Sequence, residues 1–206
     1  MANNGLWEII IPEATTNLVT NPSVEYATTG YTAVGGSIAR AATSARKGGF
    51  GLAVTPTTGT TDGVYYGTVA LTSGTSYTVS VYFKGASTVP YKLSFATTAG
   101  TLKGTATTFT GDGEWHRYEQ TWQADATADH RVYITKASGS SEAVFSVDGL
   151  QVEAKAYSTS YCDGDVEDCE WSGARHVSTS SRTAQNRSGG RRYNLSTYGM
   201  TVQSMQ

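Results

Sequence analysis

An all-β, antiparallel sandwich is the fold class that this sequence predicts, on three observations. Short strand-like runs recur about every 10–12 residues from Asn17 onward, with turn residues between them. The runs alternate apolar and polar residues with a period of two, as strands with one buried and one wet face do. Leu and Met are few and no stretch carries helical periodicity, which argues against a helical fold.

The elements follow in order. Strands are expected near 17–20, 36–42, 50–55, 63–71, 75–84, 90–96, 104–110, 115–123, 130–136 and 143–153. The clearest alternation sets Tyr77, Val79, Val81 and Phe83 on one face, against Thr78, Ser80, Tyr82 and Lys84 on the other. Val132 and Ile134 alternate with Arg131, Tyr133 and Thr135, and Phe145 and Val147 with Val144, Ser146 and Asp148. Thr61-Asp62-Gly63 and Gly111-Asp112-Gly113 supply turns where the pattern needs them. Trp115, Tyr118 and Trp122 are expected to frame the core, with Tyr118 and Trp122 on one face and Trp115 turned in by a bend at the strand entry.

The chain of 206 residues accommodates one sandwich of about 130–150 residues with a smaller appendage. The expected division is an N-terminal arm at 1–16, the sandwich at 17–155, a cysteine-bounded loop segment at 156–182 and a C-terminal tail at 183–206 that opens a further domain or meets a partner chain. Charged residues are only 16 % and the net charge is −2, which argues against a nucleic-acid partner, since that needs a basic patch to neutralise phosphates. No apolar run reaches the length of a membrane-spanning helix, about 18–20 residues, so no membrane insertion is expected. The start, Met-Ala-Asn-Asn-Gly, lacks the basic and apolar regions of a signal peptide, so the protein is expected to be cytosolic or to leave the cell by a route that needs no signal, of which lysis is one.

Cys162 and Cys169 are the two cysteines and are close enough to close a small loop. An oxidising, extracellular setting would make them a disulfide; the alternative is two free thiols. Two sulfurs alone make no zinc site, and His176 is the nearest histidine. None of the three histidines, His116, His130 and His176, lies in a spaced metal motif, and no Gly-x-Ser-x-Gly elbow occurs. A protein without enzymatic activity is therefore expected.

Two sets of residues resemble known families. Asn17-Leu18-Val19-Thr20-Asn21-Pro22-Ser23-Val24-Glu25 resembles the first strand of jelly-roll carbohydrate-binding modules attached to xylanases and other glycanases. Lys47–Leu52, Glu114–Tyr118 and Phe145–Glu153 resemble later strands of the same modules, so the likeness spans roughly 17–153. The flanks are similar to minor tail proteins of phages that infect actinobacteria. Those stretches are Ile11–Asn17, Tyr161–Asp165, Cys169–Gly173, His176 and Ser178–Ser180. The first resemblance implies a jelly roll. The second implies a virion protein, located in the tail and extracellular after host lysis, whose partners are other tail proteins, copies of itself and a host-surface glycan. The competing implication is a carbohydrate-binding module of a secreted glycan-degrading protein.

The module resemblance also implies a structural calcium. Its side-chain ligands would be Glu25 and Asp148, with carbonyls near Ser23 and Lys47. Calcium accepts six to eight oxygens in a forgiving geometry. Thr43, Ser44 and Ala45 stand where the family often adds another acidic ligand. The alternative is that Glu25 and Asp148 cap turns and bond backbone amides. The acidic run Asp163–Asp168 lacks the spacing of a helix-loop-helix calcium site and reads as a solvated loop. A sugar platform needs exposed aromatic faces with polar groups beside them. By alternation the outward candidates are Tyr82, Lys84, Arg117, Glu119 and Tyr133, with Tyr65 or Tyr66 beside them. The alternative is that these tyrosines pack on loops or on another subunit. Finally, residues 1–16 and about 183–206 are expected to be ordered mainly by contacts outside their own sandwich, because their apolar patches, Trp7–Ile11 and Tyr193–Val202, are exposed strands that invite pairing with another chain.

Overall fold

A computed structural model of the chain describes residues 13–184. Its strands are β1 (Thr15–Asn17), β2 (Tyr31–Val34), β3 (Ser37–Ala41), β4 (Gly51–Thr55), β5 (Gly63–Leu71), β6 (Ser76–Lys84), β7 (Pro90–Thr97), β8 (Leu102–Thr110), β9 (His116–Gln123), β10 (Ala128–Lys136), β11 (Phe145–Glu153), β12 (Glu170–Trp171) and β13 (Ser180–Arg182). Two five-stranded antiparallel sheets face each other. The front sheet has the order β2-β5-β10-β7-β8 and the back sheet β3-β4-β11-β6-β9. A third, small sheet has the order β1-β13-β12. The fold is the jelly-roll-like sandwich expected.

Alternation places the core. Tyr77, Val79, Val81 and Phe83 of β6 point inward, as do Val132 and Ile134 of β10 and Tyr91, Leu93 and Phe95 of β7. Tyr118 and Trp122 pack against this core from β9, with Tyr118 stacked on Phe109 at 3.7 Å between ring centroids. Trp115 is half-buried in the turn before β9 and does not join the core, because the strand begins only at His116. Gln120 shares the inward face and is buried. Its side chain accepts the Phe95 amide and donates to the Lys103 and Thr105 carbonyls, where the pairing of β7 and β8 slips. That placement satisfies backbone groups that the slip would leave unpaired in an apolar interior.

β11 is irregular in a way simple alternation does not anticipate. A bulge between Asp148 and Gln151 resets its phase, so Phe145 and Val147 before it and Leu150 and Val152 after it all face the core. Gly149 makes the turn at φ 57°, and a Cβ there would lie 2.8 Å from the Tyr82 ring. The opposite side of β11 carries Asp148, Gln151 and Glu153, all buried although they face away from the core. β4 pairs only with Phe145–Val147. Beyond it the segment after β1 takes over, with Leu18 N–H donating to the Val152 carbonyl and Leu150 N–H to the Pro22 carbonyl.

The cysteine segment is fastened to the back of the sandwich. Cys162 and Cys169 are disulfide-bonded, which removes the free-thiol alternative. Thr15, Thr16 and Asn17 pair with Arg182, Ser181 and Ser180, so residues 15 and 16, read from the sequence as arm, belong to the same small sheet as the appendage. Asn17 donates to the Leu150 and Cys162 carbonyls and accepts the Val19 and Val152 amides. Glu153 accepts from Thr15, Gln151 and both the amide and hydroxyl of Thr159. Fully bonded buried polar groups of this kind fix one docking geometry. The apolar patches Trp7–Ile11 and Tyr193–Val202 lie outside the described residues. Glu13 and Thr15, at the near end of the arm, bond to Lys155 and Glu153 of the same chain.

Candidate functional site

The pairing register builds one row of outward side chains across the front sheet. Thr32 of β2 lies beside Tyr65 of β5, Tyr65 beside Tyr133 of β10, and Tyr133 beside Ser94 of β7. The next row holds Gly63, Thr135 and Lys92. The Tyr65 and Tyr133 rings sit 5.2 Å apart at 35°, and the Arg131 guanidinium lies 4.3 Å over the Tyr65 ring. Tyr65, Tyr133, Arg131 and Lys92 are half-buried, and their side chains make no hydrogen bond to any described residue. Beneath them the Ser94 and Thr135 hydroxyls are buried and have no hydrogen-bond partner among the described residues. Two aromatic rings side by side with the Arg131 and Lys92 cations beside them form a surface suited to stacking on a sugar ring while bonding its hydroxyls at the rim.

The seven residues expected to form a sugar platform do not share one face. Tyr66 is a correction: it is 3 % exposed in the core, edge-on to Tyr31, with its hydroxyl bonded at Thr20. The slip in pairing between β5 and β10 does not bring it outward; it is Tyr65 that pairs with Tyr133. Tyr82, Arg117 and Glu119 face outward on the back sheet; the chain after β11 lies against Tyr82 and Arg117, while Glu119 stays exposed at its edge. Arg117 donates to the Thr159 carbonyl and to Ser80, and Ser158 donates to Glu119. Tyr82 packs edge-on to Tyr161 below Gly149. Lys84 is half-buried at the end of β6. Of the original set only Tyr65 and Tyr133 come together in the open. Arg131, Lys92, Ser94 and Thr135 join them. Alternation marked Arg131 and Thr135 as outward, but the strand order that unites them with β7 is not encoded locally.

The calcium candidates converge on the loop between β3 and β4. Asp148 accepts the Arg46 and Lys47 amides at 2.6 Å each, and Glu25 accepts the Gly49 and Phe50 amides. The alternative role, capping a turn, is thus realised by both. Burial pushes the Asp148 carboxyl up to about 7, and the nearby Glu25 charge adds to the rise. Ser23 has a buried hydroxyl with no partner. No group of three His, Cys, Asp or Glu among the described residues could hold a metal ion. Two carboxylates are hard ligands, suited in kind to calcium, although the loop turns amide N–H groups toward both. Asp163 is not solvated as expected: it is buried, accepting the Asp165 and Val166 amides and the Tyr161 hydroxyl. Asp165 takes a fork of bonds from Arg175, which holds its carboxyl below the usual range.

A jelly-roll sandwich with two aromatic rings on one outer face is the architecture of a carbohydrate-binding module. The family model described as "Carbohydrate binding domain" matches residues 16–142, and the chain belongs to that family. Among solved structures, the C-terminal family 22 carbohydrate binding module of Clostridium thermocellum Xyn10B is 22 % identical with a TM-score of 0.51, covering 66 % of this chain and 93 % of its own. The CBM22-1-GH10 modules of the same organism's Xyn10B, complexed with xylohexaose, are 21 % identical with a TM-score of 0.53, covering 68 % and 29 %. The CBM22-1-CBM22-2 tandem of Paenibacillus barcinonensis Xyn10C is 19 % identical with a TM-score of 0.52, covering 79 % and 56 %. At these identities the likeness establishes the fold. A search of curated proteins found no match.

Proposed function

We propose that this chain binds a glycan across the outer face of its front sheet, stacked on Tyr65 and Tyr133. The observation that carries the reading is the pair of rings 5.2 Å apart on a face whose polar side chains make no internal bonds. Arg131 and Lys92 flank the rings and would bond hydroxyls at the rim, while Ser94 and Thr135 lie below. Ring stacking and hydroxyl bonding need no covalent chemistry, so the role is attachment rather than turnover. Isothermal titration with xylohexaose, the sugar bound in one similar structure, and with β-1,4-linked galactan fragments tests it. Binding of either that is lost in Tyr133→Ala supports the reading; affinity unchanged in that variant overturns it.

Calcium is proposed as a structural cofactor, held by Glu25 and Asp148 with carbonyls near Ser23 and Lys47. Its contribution would be charge neutralisation between two carboxylates, tying the segment around Glu25 to the loop before β4.

A second reading places the module in a bacteriophage tail, as a minor tail protein that contacts tail neighbours, its own copies and a host glycan. It is favoured by the stretches resembling such proteins, Ile11–Asn17 and Tyr161–Ser180. Where described, these are also the stretches that build the small sheet and the disulfide loop on the module. Immunogold labelling of intact particles along the tail would support it. Recovery of the chain only with a secreted glycan-degrading enzyme would support the first reading alone.

A further inference from the structure

A cleft of about 520 Å³ lies between the sandwich and the disulfide appendage, remote in sequence from the front-face tyrosines. Its sandwich wall is the segment Ser23–Tyr26 with Arg40 and the loop Lys47–Phe50; its appendage wall is formed by Asp163, Asp165 and His176. A second hollow of about 360 Å³ adjoins it across Tyr26 and His176. The volume falls in the range typical of small-molecule sites, about 300–1,000 Å³.

The charges of the cleft are balanced and largely engaged. Glu25, Asp163 and Asp165 face Arg40, Lys47 and Arg175. Glu25 is held by backbone amides, Asp163 by its own turn and Asp165 by Arg175. Arg40 donates to the Glu25 carbonyl and lies 3.2 Å over the Phe50 ring. Among the described residues, the groups left without a hydrogen bond are the Ser23 hydroxyl and both ring nitrogens of His176, with the Asn21 side-chain oxygen in the adjoining hollow. His176 is only 3 % exposed, with its ring between Tyr26 at 4.9 Å and Trp171 at 4.8 Å. Its Nε2 is 2.9 Å from Asp165 Oδ2, yet the angle makes no hydrogen bond. Leaving buried donors and acceptors unpaired is costly, and a ligand that both donates and accepts would relieve it. Beside them stands Tyr26, 65 % exposed, the most exposed large hydrophobic side chain among the described residues.

We infer that this cleft is a second saccharide site, for a neutral mono- or disaccharide that bonds His176 and Ser23 through its hydroxyls and rests on Tyr26. A hydroxyl donates and accepts at once, which matches an imidazole, an alcohol and an amide oxygen; a charged ligand would meet no net countercharge. The site uses residues of the appendage, beyond the part of the chain that matches the module family. It stands independently of the front-face reading.

The test is a titration of the isotopically labelled full chain with arabinose, galactose and cellobiose, followed by amide and imidazole resonances. Galacturonate and inorganic phosphate serve as charged controls. Saturable shifts at Gly49, Val177 and the His176 ring with at least one neutral sugar are expected. They should persist in Tyr133→Ala, which disables the front face, and weaken at least tenfold in Tyr26→Ala. His176→Ala should abolish them; Tyr26→Ala, at an exposed position, keeps the test valid if that variant unfolds. The inference is overturned if no neutral sugar gives saturable shifts at these groups, if only galacturonate or phosphate does, or if Tyr26→Ala binds as tightly as the parent.

Discussion

The two outer faces of the sandwich are built from the same alphabet and end in opposite states. The front sheet carries Tyr65, Tyr133 and Arg131; the back sheet carries Tyr82 and Arg117, likewise outward and likewise with a guanidinium near a tyrosine ring, at 4.3 Å and 5.7 Å. On the front these groups make no hydrogen bonds within the described chain. On the back the chain from Lys155 to Tyr161 crosses them. Thr78 and Ser80, which face outward, are completely buried there. Thr78 bonds the Lys155 carbonyl, and Arg117 the Thr159 carbonyl. A tyrosine beside an arginine is therefore not in itself a binding feature. What separates a binding surface from an internal joint is whether another segment already satisfies it.

The largest effect is expected where the back face is locked. Glu153 is fully buried and accepts bonds from three residues on both sides of the joint. Replacing it by alanine strands those donors, at a cost of about 3 kcal/mol. Urea unfolding of Glu153→Ala should show that loss of stability, with front-face glycan affinity unchanged in the folded protein. A loss below about 1 kcal/mol would mean that the appendage is docked by something else. Removing the disulfide acts on the same joint through the unfolded chain. The bridged cysteines are separated by 7 residues, so the chain-entropy model gives about 2 kcal/mol for Cys162→Ser with Cys169→Ser. Thermal unfolding of the double variant, compared with the oxidised parent, measures it.

How much of this could be read in the sequence follows from the same contrast. The β6 alternation from Tyr77 to Lys84 assigns every one of its residues to the right side, because period two is a local property. The phase of β11 could not be read so far, since the bulge after Asp148 depends on Gly149 fitting beneath Tyr82. Tyr66 looked equivalent to Tyr65; only the pairing with β10 decides which of the two faces out. The front-face site was half legible: Tyr65 and Tyr133 were found, but Lys92 and Ser94 come from a strand some forty residues away and join through register alone. Arg117 faces outward as alternation reports, but alternation does not report cover, and Thr159 accepts its guanidinium; Glu119 is exposed and bonded by Ser158. The calcium candidates Glu25 and Asp148 meet one loop, through its backbone amides.

On the front face, Tyr133→Ala should weaken glycan binding by about 2 kcal/mol, roughly thirtyfold, as truncation of a central aromatic anchor does. Its stability should barely change, since the ring is half-buried and covers no core residue. Tyr82→Ala on the back should do the reverse, leaving affinity intact and lowering stability, because Tyr161 and the Arg117 guanidinium lose their neighbour. If both variants lose affinity alike, the back face is not closed in solution and the contrast drawn between the sheets fails.

The smallest effect is the most discriminating, because it compares one residue type in two settings. Arg131 lies over the Tyr65 ring at 4.3 Å and is otherwise uncommitted. A half-exposed cation–π contact contributes about 0.5–1 kcal/mol, so Arg131→Ala should cost little stability. Its loss should loosen Tyr65 and remove a donor at the rim of the platform, giving roughly a fivefold drop in glycan affinity by titration calorimetry. Arg117 makes two bonds across the joint, to the Thr159 carbonyl and the Ser80 hydroxyl. Arg117→Ala leaves both acceptors facing a gap under the appendage, so its cost should appear in the unfolding free energy, at about 1–2 kcal/mol. Lysine substitution sharpens the comparison. Arg131→Lys keeps the charge over Tyr65 and should retain most of the affinity. Arg117→Lys cannot reach both acceptors with a fork and should recover only part of the stability. An Arg131→Ala variant that binds glycan as the parent does would remove the cation from the platform and leave the two tyrosines to carry it.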